Sequence, residues 1–214
     1  MRIKPSDLKT VFVEVQKVRD FLNGYCGGPD KIPVSLDDIT AAIEKVYGYK
    51  ITTRLVPFQS NLIRGMIEIY ENTATITVDS DLNTVQTRYV FMKEASHVMV
   101  QTADNLTNDP GDIIDYYIHV RPEDDDNGAH PPAVICEEIT KYCAVELLFP
   151  PALRADFKAE IAAKKETLFT ISERLHLPEN LVEFTLSDWY MDLSERLRGT
   201  SPDRERFMPP QKKK

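Results

Sequence analysis

The segment Arg88-Tyr89-Val90-Phe91-Met92-Lys93-Glu94-Ala95-Ser96-His97 combines a helix-compatible composition with three chemically active side chains. An α-helix turns by about 100° per residue, so positions 93, 94 and 97 fall within an arc of roughly 100° and can point into one cleft. Helical zinc sites use this spacing. Two histidines at i and i+4 hold the ion, and the Glu after the first activates a metal-bound water. Glu94 and the second histidine, His97, are present here, but Lys93 stands where the first histidine belongs.

Upstream of this helix the chain reads as two helices and then strands. Leu8, Val11, Phe12, Val15, Val18, Phe21 and Leu22 recur at helical spacing, which predicts an amphipathic helix over 6–22. Ser35, with Asp38 three residues on, predicts the capped start of a second helix that Gly48 closes. Ile51–Phe58 is a strand candidate. Ile63–Tyr70 and Thr73–Asp79 alternate apolar and polar residues around Glu71-Asn72, the pattern of a hairpin with one buried face. Asn83 or Thr84 is placed to cap the motif helix, which should run to about Gln101.

A second helix, about 133–148, follows Pro131-Pro132 and is closed by Pro150-Pro151. On its wheel Cys136, Thr140, Cys143, Ala144 and Leu147 form a stripe of mostly small residues that permits close packing. Glu137 lies at the edge of that stripe, while Glu138 and Glu146 fall on the other side. A carboxylate beside a packing stripe needs a partner, because burying it unpaired is costly. A metal ion or the ammonium of Lys93 would serve.

The two motifs together resemble the ImmA/IrrE-type zinc metallopeptidases. That family has a hairpin, a helix reading Arg-Phe-x-x-x-His-Glu-x-x-His, and a later helix reading Glu-x-x-Ala-x-x-Phe-Ala-x-x-Leu-Leu-Met-Pro. Here the first motif aligns without gaps from Arg88-Tyr89 to Lys93-Glu94-Ala95-Ser96-His97. The second aligns from Glu137 through Thr140, Cys143-Ala144 and Leu147-Leu148 to Phe149-Pro150. Ile32-Pro33-Val34-Ser35-Leu36-Asp37-Asp38-Ile39 is similar to the segment before the family's second helix, so the resemblance covers about residues 5–152. It implies an α+β, mostly helical, zincin-like fold with a small antiparallel sheet or hairpin before the motif helix. It further implies His97 and Glu137 as metal ligands, Glu94 as general base, and a protein substrate of the repressor type.

Lys93 departs from that pattern. Its ammonium offers donors only and repels a divalent cation. Deprotonating it for ligation costs about 1.4 kcal/mol per pH unit, so roughly 4–5 kcal/mol at neutral pH. Pairing Lys93 with Glu94 or Glu137 in the metal's place is simpler, so zinc is expected to be absent. The other candidates for a replacement ligand are His119, His130, His176 and Cys136.

Composition bounds the rest. The 214 residues carry 26 Lys and Arg against 34 Asp and Glu, a formal charge of −8, which argues against a protein built to grip nucleic acid. No apolar run reaches the roughly 18–20 residues of a membrane span, and the first twenty residues lack a signal-peptide pattern. Three cysteines without a CxxC pair fit reduced thiols in the cytoplasm. The helix–turn–helix rhythm at 171–189 carries Glu179, Glu183 and Asp188 rather than basic side chains, which favours packing over DNA contact. The acidic run Glu123-Asp124-Asp125-Asp126 reads as a solvated loop, with a hard-cation site as the alternative. The organisation expected is one domain over 1–198, with a motif core at about 30–152, C-terminal helices over 153–198, and a flexible tail at 199–214. The function expected is a catalytically impaired peptidase-fold protein that binds a partner, itself a candidate DNA-binding repressor. The alternative is an active zinc endopeptidase with a replacement ligand.

Overall fold

A computed structural model describes residues 5–25, 31–59, 63–100 and 132–199. The elements are α1 (Pro5–Tyr25), α2 (Leu36–Tyr47), β1 (Lys50–Val56), β2 (Gly65–Tyr70), β3 (Thr73–Asp79), α3 (Thr84–Val100), α4 (Pro132–Leu148), α5 (Pro151–Ala162), α6 (Leu168–Leu175), α7 (Glu179–Leu186) and α8 (Asp188–Leu197). The chain is an α+β, mostly helical domain with a small three-stranded sheet. No described helix is long and apolar enough to cross a membrane.

Local chemistry sets the boundaries. Ser35 caps α2 by accepting from the Asp38 amide, and Gly48 ends it in the left-handed conformation at φ 76°, which a Cβ would disfavour. Asn83 and Gln86 cap α3 reciprocally. The Gln86 amide donates to Asn83 Oδ1 at 2.9 Å, and the Asn83 amide donates to Gln86 Oε1.

The hairpin forms as expected, with β2 antiparallel to β3 and Ile67 opposite Ile76. β1 adds to the far side of β3 in parallel, with Leu55 opposite Val78, so the strand order is β1-β3-β2. The antiparallel hairpin is therefore one half of a mixed sheet. β1 ends and β2 begins at the same end of the sheet, beside Asp79 and Val78, so β2 itself carries the chain back to the end where β3 starts parallel to β1.

α3 lies between the sheet and α4 and also touches α1 and α2. Phe91, Met92 and Ala95 of α3 share one buried core with Cys143, Ala144 and Leu147 of α4 and with Ile76 and Val78 of β3. Burying one such leucine contributes about 2–3 kcal/mol. The small residues on α4 let α3 come close enough for their polar side chains to touch. Of the irregular segment expected over 102–132, only Pro132 is described, as the first residue of α4, and of the tail expected over 199–214 only Gly199; the acidic run and the rest lie outside the described residues.

Candidate functional site

α3 and α4 bring four ionisable side chains together. Lys93 Nζ donates to Glu137 Oε2 at 2.6 Å and lies 2.9 Å from Glu94 Oε1. His97 Nε2 is 3.1 Å from Glu137 Oε1 and 3.7 Å from Glu94 Oε2. Lys93, Glu94 and His97 come from one face of α3, and Glu137 reaches them from α4, 44 residues away. Glu138 instead pairs with Lys141 on its own helix, so Glu137 is the carboxylate that faces α3.

Depth separates the four. Glu94 and His97 are buried, whereas the Lys93 and Glu137 side chains are 18% and 19% exposed. Solvent and any ligand therefore meet Lys93 and Glu137 first. Gly65, the first residue of β2, closes the opposite side. A Cβ there would stand 2.4 Å from Val90 Cγ1 and 2.9 Å from Glu94 Oε1, so only glycine lets the strand press this closely on α3.

The electrostatics are those of a balanced quartet. Burial opposes the charge on Lys93, but Glu94 and Glu137 outweigh it and drive the ammonium's pKa above its ordinary value. Burial likewise opposes protonation of His97. Its contacts with Cys136 and Glu137 and the charge of Glu94 prevail and push it up to about 10. Burial works against the Glu137 carboxylate, yet His97 and Lys93 hold it down to about 2. At neutral pH two cations face two carboxylates. Glu94 Oε1 and His97 Nε2 lie within ion-pair distance of their partners, but neither is aligned for a hydrogen bond.

These residues do not fit the zinc ion that the family resemblance implies. A zinc site needs carboxylate and imidazole lone pairs facing a vacant point. Here the ammonium already contacts both carboxylates, its raised pKa keeps it charged, and it repels a divalent ion. Cys136 does not repair the set. Its Sγ lies 3.6 Å from His97 Nδ1, on the other edge of the ring from the nitrogen that faces the carboxylates. His176 ends α6 as an exposed residue with φ 50°, and His119 and His130 lie outside the described residues.

A cavity of about 200 Å³ opens between α3, α4 and α7, walled mainly by Tyr89, Tyr142, Val145, Leu181 and Phe184. Tyr89 is one helical turn before Lys93, and burial, the largest cause, pushes its phenol up to about 12. The α6–α7 pair packs Leu175, Leu177, Val182 and Leu186 inward and exposes Glu179 and Glu183. Glu146, which the wheel puts on the side of α4 away from the small-residue stripe, is fully buried among arginines. Its partners Arg154 and Arg198 lie beyond the motif, so no local spacing announces them. No protein-family model matches the chain, and no curated protein matches it significantly.

Proposed function

We propose that this chain is an ImmA/IrrE-like metallopeptidase-fold protein in which an ammonium has taken the seat of the metal ion, and that it acts by binding a partner protein without cutting it. The observation that supports this most is the position of Lys93 Nζ, between the Glu94 and Glu137 carboxylates and beside His97. A quartet whose charges cancel has no deficit for a divalent cation to fill. Glu94 would be the general base by motif position, but its carboxylate is engaged by Lys93.

The partner would meet the half-open rim at Lys93 and Glu137, and the neighbouring aromatic-walled cavity offers a seat for an apolar side chain. The acidic exposed face of α7 and the net charge of −8 favour a protein over a nucleic acid as the ligand, with a DNA-binding repressor as the class the resemblance implies. The buried free thiols of Cys136 and Cys143 are compatible with a reducing compartment, which supports a cytoplasmic location.

Metal analysis of the purified chain and of Lys93→His tests the reading. The natural chain is expected to hold far less than one zinc per molecule, and Lys93→His to gain about one, with His97 and Glu137 as its co-ligands. Stoichiometric zinc in the natural chain that disappears in His97→Ala would overturn the proposal in favour of an active endopeptidase. Failure of a folded Lys93→His to take up zinc would break the alignment of the two motifs.

A further inference from the structure

Glu146 on α4 is surrounded by more positive charge than it can neutralise. Arg154 Nη1 donates to its Oε1 at 2.7 Å, Arg198 Nη2 donates to its Oε2, and Tyr190 donates its hydroxyl to Oε1 at 2.6 Å. Arg19 of α1 donates to the backbone carbonyl of the same residue. Among the described residues, three guanidinium groups therefore surround one carboxylate, two on its oxygens and one on its backbone carbonyl, an excess of two positive charges. Ring faces take part of the load. Arg154 lies over Phe149 and Tyr190, and Arg198 lies over Phe12 at 5.3 Å. Aromatic faces attract cations but carry no net charge. Among the described residues the buried Nε atoms of Arg19 and Arg154 have no hydrogen-bond partner. Burial lowers the Arg19 pKa to about 10, with Glu146 opposing that shift and Arg154 and Arg198 adding to it.

Uncompensated charge at a buried position is costly unless an ion of opposite sign completes it. Glu146 and Arg154 are sealed, while Arg19 on α1 and Arg198 just past the end of α8 are only partly buried and carry the cluster to the surface. We infer that this partly exposed side of the cluster binds a doubly charged oxyanion of the phosphate or sulfate type, held by the guanidinium groups of Arg19 and Arg198. The excess of two charges matches a dianion better than a single carboxylate. The planar fork of a guanidinium suits two oxygens of one tetrahedral group. The site is independent of the Lys93 quartet, since Glu146 lies about 13 Å along α4 from Glu137.

Titration calorimetry of inorganic phosphate into the full chain, at fixed ionic strength, tests the site. A saturable one-to-one isotherm is expected. Affinity should fall at least tenfold in Arg198→Ala and stay unchanged in Arg174→Ala, whose guanidinium pairs with Glu166 elsewhere on the surface. If Arg198→Ala does not fold by circular dichroism, Arg198→Lys keeps the charge, loses the fork, and should still bind more weakly. Phenyl phosphate binding as tightly as inorganic phosphate would identify the natural ligand as a phosphoryl group on a larger molecule. Exclusion of phenyl phosphate would identify it as the free ion. The inference is overturned by the absence of saturable heat with the natural chain, or by undiminished affinity in the folded Arg198 variants.

Discussion

Lys93 on α3 and Glu137 on α4 meet at 2.6 Å, and the same carboxylate group receives His97 at 3.1 Å on its other oxygen. One glutamate thus joins two cations from one helix to a second helix. Removing Lys93 leaves two carboxylates facing each other with only the imidazole between them. Breaking a buried pair from one side is more damaging than replacing both partners.

Lys93→Ala is therefore expected to lose about 3 kcal/mol of stability, read from the midpoint and slope of urea unfolding. The double replacement Lys93→Met with Glu137→Gln should lose less than the sum of the two single changes. Strict additivity would mean that the two groups do not interact.

Alkaline pH should weaken the fold through His97. Its folded pKa of about 10 lies above the ordinary 6.5. The stabilisation it contributes is complete below about 6.5 and is lost progressively as pH rises toward 10. Unfolding midpoints measured across that range should fall, and His97→Gln should flatten the decline. A slope that the substitution leaves intact would assign the effect to another group.

Acid should act through Glu146. The carboxylate is fully buried, which raises its pKa, but Arg154, Arg198 and the Tyr190 hydroxyl prevail and hold it down to about 2 from 4.5. Its contribution is present above about 4.5 and is lost as pH falls toward 2. Tyr190→Phe should cost about 1 kcal/mol at neutral pH and make the acid transition occur at higher pH.

Gly65→Val should disturb the quartet without touching a charged residue. The new side chain would begin 2.4 Å from Val90 Cγ1 and 2.9 Å from Glu94, forcing β2 away from α3. A loss of about 1–3 kcal/mol is expected. In a 13C spectrum of labelled protein the Glu94 carboxyl resonance should move. A shift confined to the sheet would place the crowding elsewhere.

Much of the scaffold was legible because its signals are local. Helical spacing marked α1, the Ser35 and Gly48 caps marked α2, and alternation marked the hairpin around Glu71-Asn72. The wheel of α4 put Glu137 beside the packing stripe, and the structure brings it to Lys93. Three features were not legible. The parallel pairing of β1 with β3 depends on which strand of the hairpin β1 joins, which alternation does not encode. The role of Gly65 depends on the distance between two elements. Glu146 sits on the side of α4 away from the small-residue stripe, and its partners come from Arg154 of α5 and from Arg198 just past α8, which no spacing within α4 encodes.

The grip of Arg198 on Glu146 also bears on how the chain tolerates trimming. A version ending after the second motif, near 152, would discard Arg154, Tyr190 and Arg198 together and strand an ionised carboxylate against apolar neighbours. Limited proteolysis should accordingly yield no durable fragment that stops there. A fragment that keeps this grip has to extend to Arg198, just past α8.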